Sequence, residues 1–564
     1  MPTAELLVSV GLATPVLALL ACFSPALRER LWMLLVLIPL PALAAAVVAI
    51  GLISSGDTAA VTLLFDPSGL AIGLVVDHPG AVLLGVAALL WAAAGLYAAP
   101  MLQASPHRGR FSLFWLLTLT GSLGVFVAAD LLSFYLFYGL VSLAAFGLIA
   151  HDGTAFARRA TSLYLLLAVL GEIALLLAFV LLAEAAPLAG LGISSTVAAL
   201  DGSPWYWITM ALLLIGFALK LALVPVHIWM PLAHTAAPVP ASAILSGVAI
   251  KAGVIGLIRF LPFEAGAPHW GTLLLVVGLI TAYYGVVIGL TQREAKTVLA
   301  YSSISQMGLV AAATGLALRA GNAPAVLLLT LYAAHHLLAK GALFLGTGVI
   351  LEGVSRRRWL VLVPAALLGL GIAGLPLTGG AAAKLALKPL FDTPWLGLLA
   401  ALSAAGSALL MLHFLRRLWV SGEATAVSIG AVNAHPNGLL RRLLPWWLMA
   451  LAALVLPWLL LPWLGLGDAQ TWLAQSLSPA QLWKSLWPLL LGGVAALAMW
   501  RWGERLPQVP PGDILIWSGP LTRLISAVGA GVEALDRGLR QWPVAGLALL
   551  ILSLLLWGGL LNVH

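Results

Sequence analysis

Apolar residues run in long blocks from one end of this chain to the other, and turn-forming or charged residues punctuate them. Many blocks reach the ~20 residues that carry a helix across a bilayer. The pattern predicts spans near 4–23, 31–53, 79–100, 111–129, 131–150, 160–186, 205–224, 240–262, 271–290, 300–318, 325–351, 359–391 (interrupted), 395–415, 443–466, 484–500 and 542–560. The expected fold is therefore an all-α polytopic membrane protein of about 16 transmembrane helices. The first block has no small-residue cleavage site behind a short apolar core, so it reads as a retained span and not as a signal peptide.

Composition narrows the function more than the fold. The chain is 62% hydrophobic and 9% charged, too little charge to cover a soluble globule. Its one cysteine, Cys22, allows no internal disulfide and no thiolate set for an iron–sulfur cluster or structural zinc. No metal, no cofactor and no redox or hydrolytic catalytic residue is expected, and the chain reads as a translocase subunit at most. The net charge of +8 lies in short loops instead of one patch, which argues against nucleic acid as a partner.

The position of that charge predicts the orientation. Arg28 and Arg30, Arg108 and Arg110, Arg158 and Arg159, Arg293 and Lys296, Arg356 to Arg358, Arg416 and Arg417, and Arg441 and Arg442 fall in every second loop. The alternate loops carry Asp57, Asp66, Asp77, Asp201, Glu264 and Asp468 and almost no Lys or Arg. By the positive-inside rule the arginine-rich loops are cytoplasmic and both termini lie on the outer side of the cell's inner (plasma) membrane. Between the last two spans, a segment near 510–540 has apolar residues at helical spacing with Arg523, Glu533, Asp536, Arg537 and Arg540 among them. It reads either as an amphipathic helix on the cytoplasmic face or a partner subunit, or as an ordinary surface linker.

Against this apolar background a few charges stand inside predicted spans. Lys220, Lys251, Lys340, Lys384 and Lys388 do so, as do Glu172, His335 and His336. A charged residue at the bilayer centre costs at least ~2.5–3.5 kcal/mol, so such residues face a polar interior and usually carry function. Lys388 is near a span end and can snorkel to water. Lysine suits proton relay because desolvation disfavours its charged form, so a modest electrostatic change moves its proton. His336 and Lys340, four apart, share one helix face, while His335 points elsewhere, which argues against a bis-histidine haem site.

Two of these lysines open near-identical stretches, "KLALVP" at 220–225 and "KLALKP" at 384–389, close to predicted helix breaks. Pro225, Pro231, Pro238 and Pro240 crowd 223–243, and glycines surround Pro376 in "GIAGLPLTGG" at 371–380. Non-helical backbone at membrane depth survives only beside protein or a water-filled cavity, and paired broken helices mark transporters built from repeated halves.

At these residues the sequence resembles the antiporter-like subunits shared by respiratory complex I, membrane-bound hydrogenases and Mrp-type Na+/H+ antiporters. The resemblance rests on "FALKLALVPVHIWMPLAHTAAPVPASAILSGVAIKAGVIGLIRF" (217–260), "TQREAKTVLAYSSISQMGLV" (291–310), "HHLLAKGALFLGTG" (335–348) and "GIAGLPLTGGAAAKLALK" (371–388). It covers roughly residues 110–420 and implies a 14-helix antiporter-like core. N-terminal helices 1–3 (1–110) would precede two inverted five-helix repeats, helices 4–8 (111–262) and 9–13 (263–420), with helices 7 and 12 broken. C-terminal helices (421–564) would follow. The resemblance makes Lys220 the central lysine of the first half-channel, Lys251 the connecting lysine, Lys340 the central lysine of the second half and Lys384 the terminal residue toward the exit. His227, His234, His335 and His336 would line the hydrated axis between them, and the two near-copies would occupy equivalent broken helices.

One departure stands out. The family usually carries a glutamate in the fifth span, paired with the first central lysine, and here the matching position is Gly139. Glu172, one helix later, is the candidate substitute. Without such a partner, either the second half conducts alone or the chain works as a diverged paralogue beside a complete subunit.

The function implied is a proton- and cation-translocating subunit of a multisubunit antiporter, most similar to an Mrp D-type subunit. Its expected partners are other membrane subunits, the lipid bilayer and protons, with Na+ as the candidate exchanged cation. Two alternatives share the resemblance. One is a proton-pumping membrane-arm subunit of a complex I-like NADH:quinone oxidoreductase or hydrogenase. The other is the energising subunit of an inorganic-carbon uptake complex.

Overall fold

Backbone inside hydrocarbon must satisfy its own hydrogen bonds, and this chain does so almost wholly with helices. The computed structural model describes residues 2–54, 61–65, 72–187, 190–351, 358–429, 436–503 and 507–510. In chain order the main helices are α1 (Pro2–Ala21), α2 (Leu40–Ser54), α3 (His78–Ala104), α4 (Arg108–Val127), α5 (Leu131–Ile149) and α6 (Ala155–Ala185). The seventh is split into α7a (Tyr206–Leu221) and α7b (Trp229–Ala236), and α8 (Val239–Phe260) follows. Next come α9 (Pro268–Leu290), α10 (Ala295–Arg319) and α11 (Ala325–Leu351). The twelfth is split into α12a (Trp359–Ala373) and α12b (Gly379–Leu387), before α13 (Pro394–Ile429), α14 (Pro436–Trp463) and α15 (Pro479–Trp502).

Among the described residues, 10 helices are long and apolar enough to cross a membrane, or 11 if the bent pair Leu7–Ala21 and Pro25–Met33 counts as one span. The expected sixteen are therefore not reached by length and composition. Proline explains much of the shortfall. The helix expected over 31–53 starts only at Leu40, after a 3₁₀ turn at Leu31–Met33, because Pro39 and Pro41 cannot supply the donors of a continuous helix. The seventh and twelfth spans divide into pieces of which Tyr206–Leu221 and Trp359–Ala373 are the longer. α10 is not among the ten: Ser302, Ser303, Ser305 and Gln306 lower its hydropathy, and all four are buried. The sixteenth predicted span, 542–560, and the amphipathic segment, from 511 onward, lie outside the described residues.

The apolar face of α6 shows how the protein meets lipid. Leu166, Leu170, Ile173, Leu177 and Val180 are exposed, while Glu172 points inward and is buried. A hairpin that the apolar pattern reads only as loop joins α2 to α3. Its strands β1 (Val61–Phe65) and β2 (Ile72–Val76) pair antiparallel, from Val61 with Val76 to Phe65 with Ile72. Asp130 ties it to the bundle by accepting a hydrogen bond from the Gly73 amide at 2.6 Å while capping α5.

Both breaks are built with left-handed backbone. α7a stops at Ala222 (φ 54°) and α12a at Gly374 (φ 103°), with Leu377 (φ 65°) further into the second break. Ala222 and Leu377 are the two non-glycine residues of this kind among the described residues, each a strain of about 1–3 kcal/mol that surrounding structure must hold. Their placement corrects the expected equivalence of the near-copies. Lys220 ends the helix before its break, whereas Lys384 sits on α12b, after its break. "KLALKP" closes α12b into a 3₁₀ turn at Lys388–Phe391, so the likeness is of sequence and not of position.

α9 and α10 form the closest helix pair, through glycines seven residues apart. A Cβ on Gly271 would lie 2.6 Å from the Gly315 carbonyl oxygen, one on Gly278 would lie 2.4 Å from the Ala312 nitrogen, and one on Gly285 would lie 2.7 Å from the Ser305 nitrogen. Close approach through small residues replaces the hydrophobic effect that lipid cannot supply. Gly278→Leu should therefore lower the thermal transition of the detergent-purified protein, as expected for overpacking of about 1–3 kcal/mol. Val276→Ala, on the exposed side of the same helix, should leave it within error. Equal transitions for the two variants would contradict this packing.

Candidate functional site

Most of the ionisable residues singled out in the sequence fall into three groups. The first joins α5, α6 and the end of α7a. Lys220 is in the last turn of α7a, where freed carbonyls favour a cation. Its Nζ donates to the Ser142 hydroxyl at 2.8 Å and lies 5.6 Å from the centre of the Tyr138 ring. Glu172 approaches from α6, and a Cβ built on Gly139 would sit 3.5 Å from its Oε2. The α6 carboxylate thus occupies the space that a longer side chain at Gly139 would fill. Lys220 and Glu172 do not close to a direct ion pair, and neither carboxylate oxygen has a direct hydrogen-bond partner among the described residues. A cavity of about 20 Å³, lined by both residues with Ser142, Tyr138 and Tyr164, lies between them. That is room for one water.

The second group centres on α8, α10 and α11. α8 carries a π-helical turn at Leu245–Ala249, one residue before Lys251. Such turns re-aim side chains and concentrate at functional sites. Lys251 Nζ and His336 Nδ1 share a hydrogen bond of 2.8 Å. An ammonium donates it, while a neutral amine accepts it if Nδ1 carries the proton, so either tautomer keeps the link. Lys340, one turn beyond His336, donates to the Leu299 carbonyl of α10 at 3.1 Å, an oxygen that also accepts from the Ser303 hydroxyl. Lys251 and Lys340 are both fully buried. His234 of α7b stacks on Phe344, one turn after Lys340, with ring centres 4.9 Å apart.

The third group lies at the twelfth-span break. Lys384 Nζ donates to the Ala373 carbonyl at 3.1 Å, where α12a ends and its carbonyls lack helical partners. His335 faces this side: a Cβ on Gly380 of α12b would come within 2.9 Å of its Nε2. Lys384 also lines a cavity of about 520 Å³ with Lys388, Asp392, Gln481 and Lys484. Lys388 itself is exposed and donates to Gln481 at 2.6 Å, as its place at a span end led us to expect.

Eight of the nine residues singled out in the sequence thus enter three groups: Glu172 with Lys220; Lys251, His336, Lys340 and His234; and His335 with Lys384. The ninth, His227, lies in the seventh-span break and packs edge-on to Tyr284 at 4.8 Å. The first two groups adjoin, since a Cβ on Gly253 of α8 would meet the Lys220 Cβ at 3.3 Å. Sequence reasoning passed over Ser142, although it stands three residues from Gly139 on the same face. It also counted Lys296 only as a loop charge. Lys296 Nζ in fact donates to the Ala237 carbonyl just past α7b and neutralises that helix end inside the bundle.

Comparison with known proteins agrees with this architecture. The transmembrane family described as NADH:quinone oxidoreductase/Mrp antiporter matches residues 128–407. The chain is 32% identical over 348 residues to NADH-quinone oxidoreductase subunit N of Desulforudis audaxviator, covering 60% of this chain and 64% of that one. It is 30% identical over 346 residues to the putative antiporter subunit mnhA2 of Staphylococcus haemolyticus, covering 57% of this chain and 42% of the relative. The chain therefore spans less than two thirds of the length of these curated relatives. Among solved structures, a chain of the Mrp complex from Dietzia sp. DQ12-45-1b superposes with a TM-score of 0.68 at 21% identity, over 87% of this chain and 100% of that one. The helical core of this multi-pass membrane protein, residues 128–407, is that of the NADH:quinone oxidoreductase/Mrp antiporter transmembrane family.

Proposed function

We propose that the chain is a proton-translocating subunit of a multisubunit Mrp-type cation/proton antiporter. The observation that carries this reading is the row of groups that can exchange protons, buried from Glu172 and Lys220 through Lys251, His336 and Lys340 and ending at half-buried Lys384 and its cavity. The row has more lysines than carboxylates, so the interior cannot hold every lysine charged without a large penalty. Each proton that arrives then favours the departure of another further along. Glu172 and Lys220 act as the first exchanging pair, with Ser142 or a single water as the bridge. Lys251 and His336 pass the proton between the groups around α7a and α11, and Lys384 releases it to the cavity beside Asp392 and Lys484.

In this reading residues 111–262 and 263–420 form the two inverted repeats, the arginine-rich ends face the cytoplasm of the cell, and Na+ is the exchanged cation of the assembled complex. Other membrane subunits complete it. A second reading, a membrane-arm subunit of a quinone-linked oxidoreductase, draws on the likeness to subunit N. Iron–sulfur subunits co-purifying with the chain would favour it.

In proteoliposomes of the assembled complex, Lys340→Ala and Lys384→Ala should each abolish cation-dependent proton movement without loss of assembly. Exchange at the unaltered rate in either would remove the relay. A second experiment addresses the displaced carboxylate. Glu172→Gly should lower exchange at least about tenfold, equivalent to about 1.4 kcal/mol in a barrier. Adding Gly139→Glu to it should restore most of the activity, because either helix delivers a carboxylate to the same space. An assembled double variant as inactive as the single one would refute that interchange.

A further inference from the structure

Arg293, Arg416 and Arg417 serve above only as markers of orientation. In the folded chain they meet. Together with His413, Thr291 and Gln508 they line a cavity of about 430 Å³ between the C-terminal ends of α9 and α15 and the middle of α13, and no acidic residue is among those that line it. His413 is 1% exposed. Its Nε2 bonds the Gln292 carbonyl at 2.9 Å, while its Nδ1 has no partner among the described residues. Three guanidinium groups around one cavity suit an oxyanion.

A second hollow adjoins the first. It is an apolar groove of about 540 Å³ between α12a, α13 and α15, lined by Trp359, Val363, Leu412, Trp419 and Trp500. Arg416 lines both hollows. The groove is open: Trp359 is 60% exposed and Val363 54%. At its rim the Arg358 guanidinium rests on the Trp419 ring, 3.5 Å from its centre. Tryptophan and arginine together are the composition of a membrane interface, and basic pockets between helix ends recognise anionic headgroups.

We infer that this paired site binds an anionic phospholipid, its phosphate in the arginine cavity and an acyl chain along the tryptophan groove. A free anion would fill only the first hollow, and an apolar helix of another subunit would press hydrocarbon against Arg416, which lines both. The joined pair fits a molecule that carries a negative headgroup on an aliphatic chain.

The test uses the intact purified protein in nanodiscs of phosphatidylcholine doped with phosphatidylglycerol, with lipids retained after detergent release counted by native mass spectrometry. Phosphatidylglycerol should be retained in preference to phosphatidylcholine. Arg416→Gln should reduce that retention about fivefold, the worth of one arginine near an anionic surface. Arg416→Lys should keep most of it, which separates loss of charge from misfolding. Trp500→Ala should also weaken retention, and inorganic phosphate should fail to displace the lipid. Equal retention of the two lipids, or no change in Arg416→Gln, would overturn the proposal. Displacement by phosphate with Trp500→Ala unaffected would also overturn it, in favour of a free-anion site.

Discussion

An ammonium group inside a bilayer must find oxygen or nitrogen, and the interior of this protein is arranged around that need. Lys384 and Lys340 take backbone carbonyls, Lys220 takes a serine hydroxyl and Lys251 takes an imidazole. None of the four is matched by a full ion pair among the described residues. These are weaker partners than a carboxylate at close range, and each can be exchanged for a neighbour. A fixed salt bridge would hold the proton in place, whereas a hydroxyl, a carbonyl or a ring nitrogen lets it move.

The backbone supplies partners where side chains do not. Breaks in the seventh and twelfth spans expose carbonyls at membrane depth, and Lys384 takes one of them, that of Ala373, from within its own broken span. Such breaks hold only if the rest of the bundle is rigid. The seven-residue glycine ladder of α9 and α10 locks two long helices together. Leu90 of α3 adds a wedge, since Cβ atoms on Gly247 and Gly341, in the helices that carry Lys251 and Lys340, would both collide with it. Tight small-residue packing and loosened backbone are thus complementary parts of one design.

Hydropathy made most of the helices legible, as well as the charged members of the row from Glu172 to Lys384, because an ionisable residue in an apolar run is conspicuous by itself, and clustered proline and glycine marked the breaks. What it left obscure depended on neighbours distant in sequence. The family resemblance marks Gly139 as the place of an absent carboxylate, but only the packing of α6 on α5 puts Glu172 there. The twin lysine stretches misled for the same reason. Local sequence is alike in both, yet one precedes its break and the other follows it. The helix expected over 31–53 begins late because Pro39 and Pro41, and not apolar character, decide where it can start.

The account turns on whether protons pass between the two ends of the row, and a single contact joins Lys251 of α8 to α11. Replacing His336 by leucine removes that 2.8 Å contact while leaving Lys340 and both breaks in place. Proton movement measured in proteoliposomes of the assembled His336→Leu complex should fall to the level of empty vesicles. Movement at the rate of the unaltered complex would contradict the account.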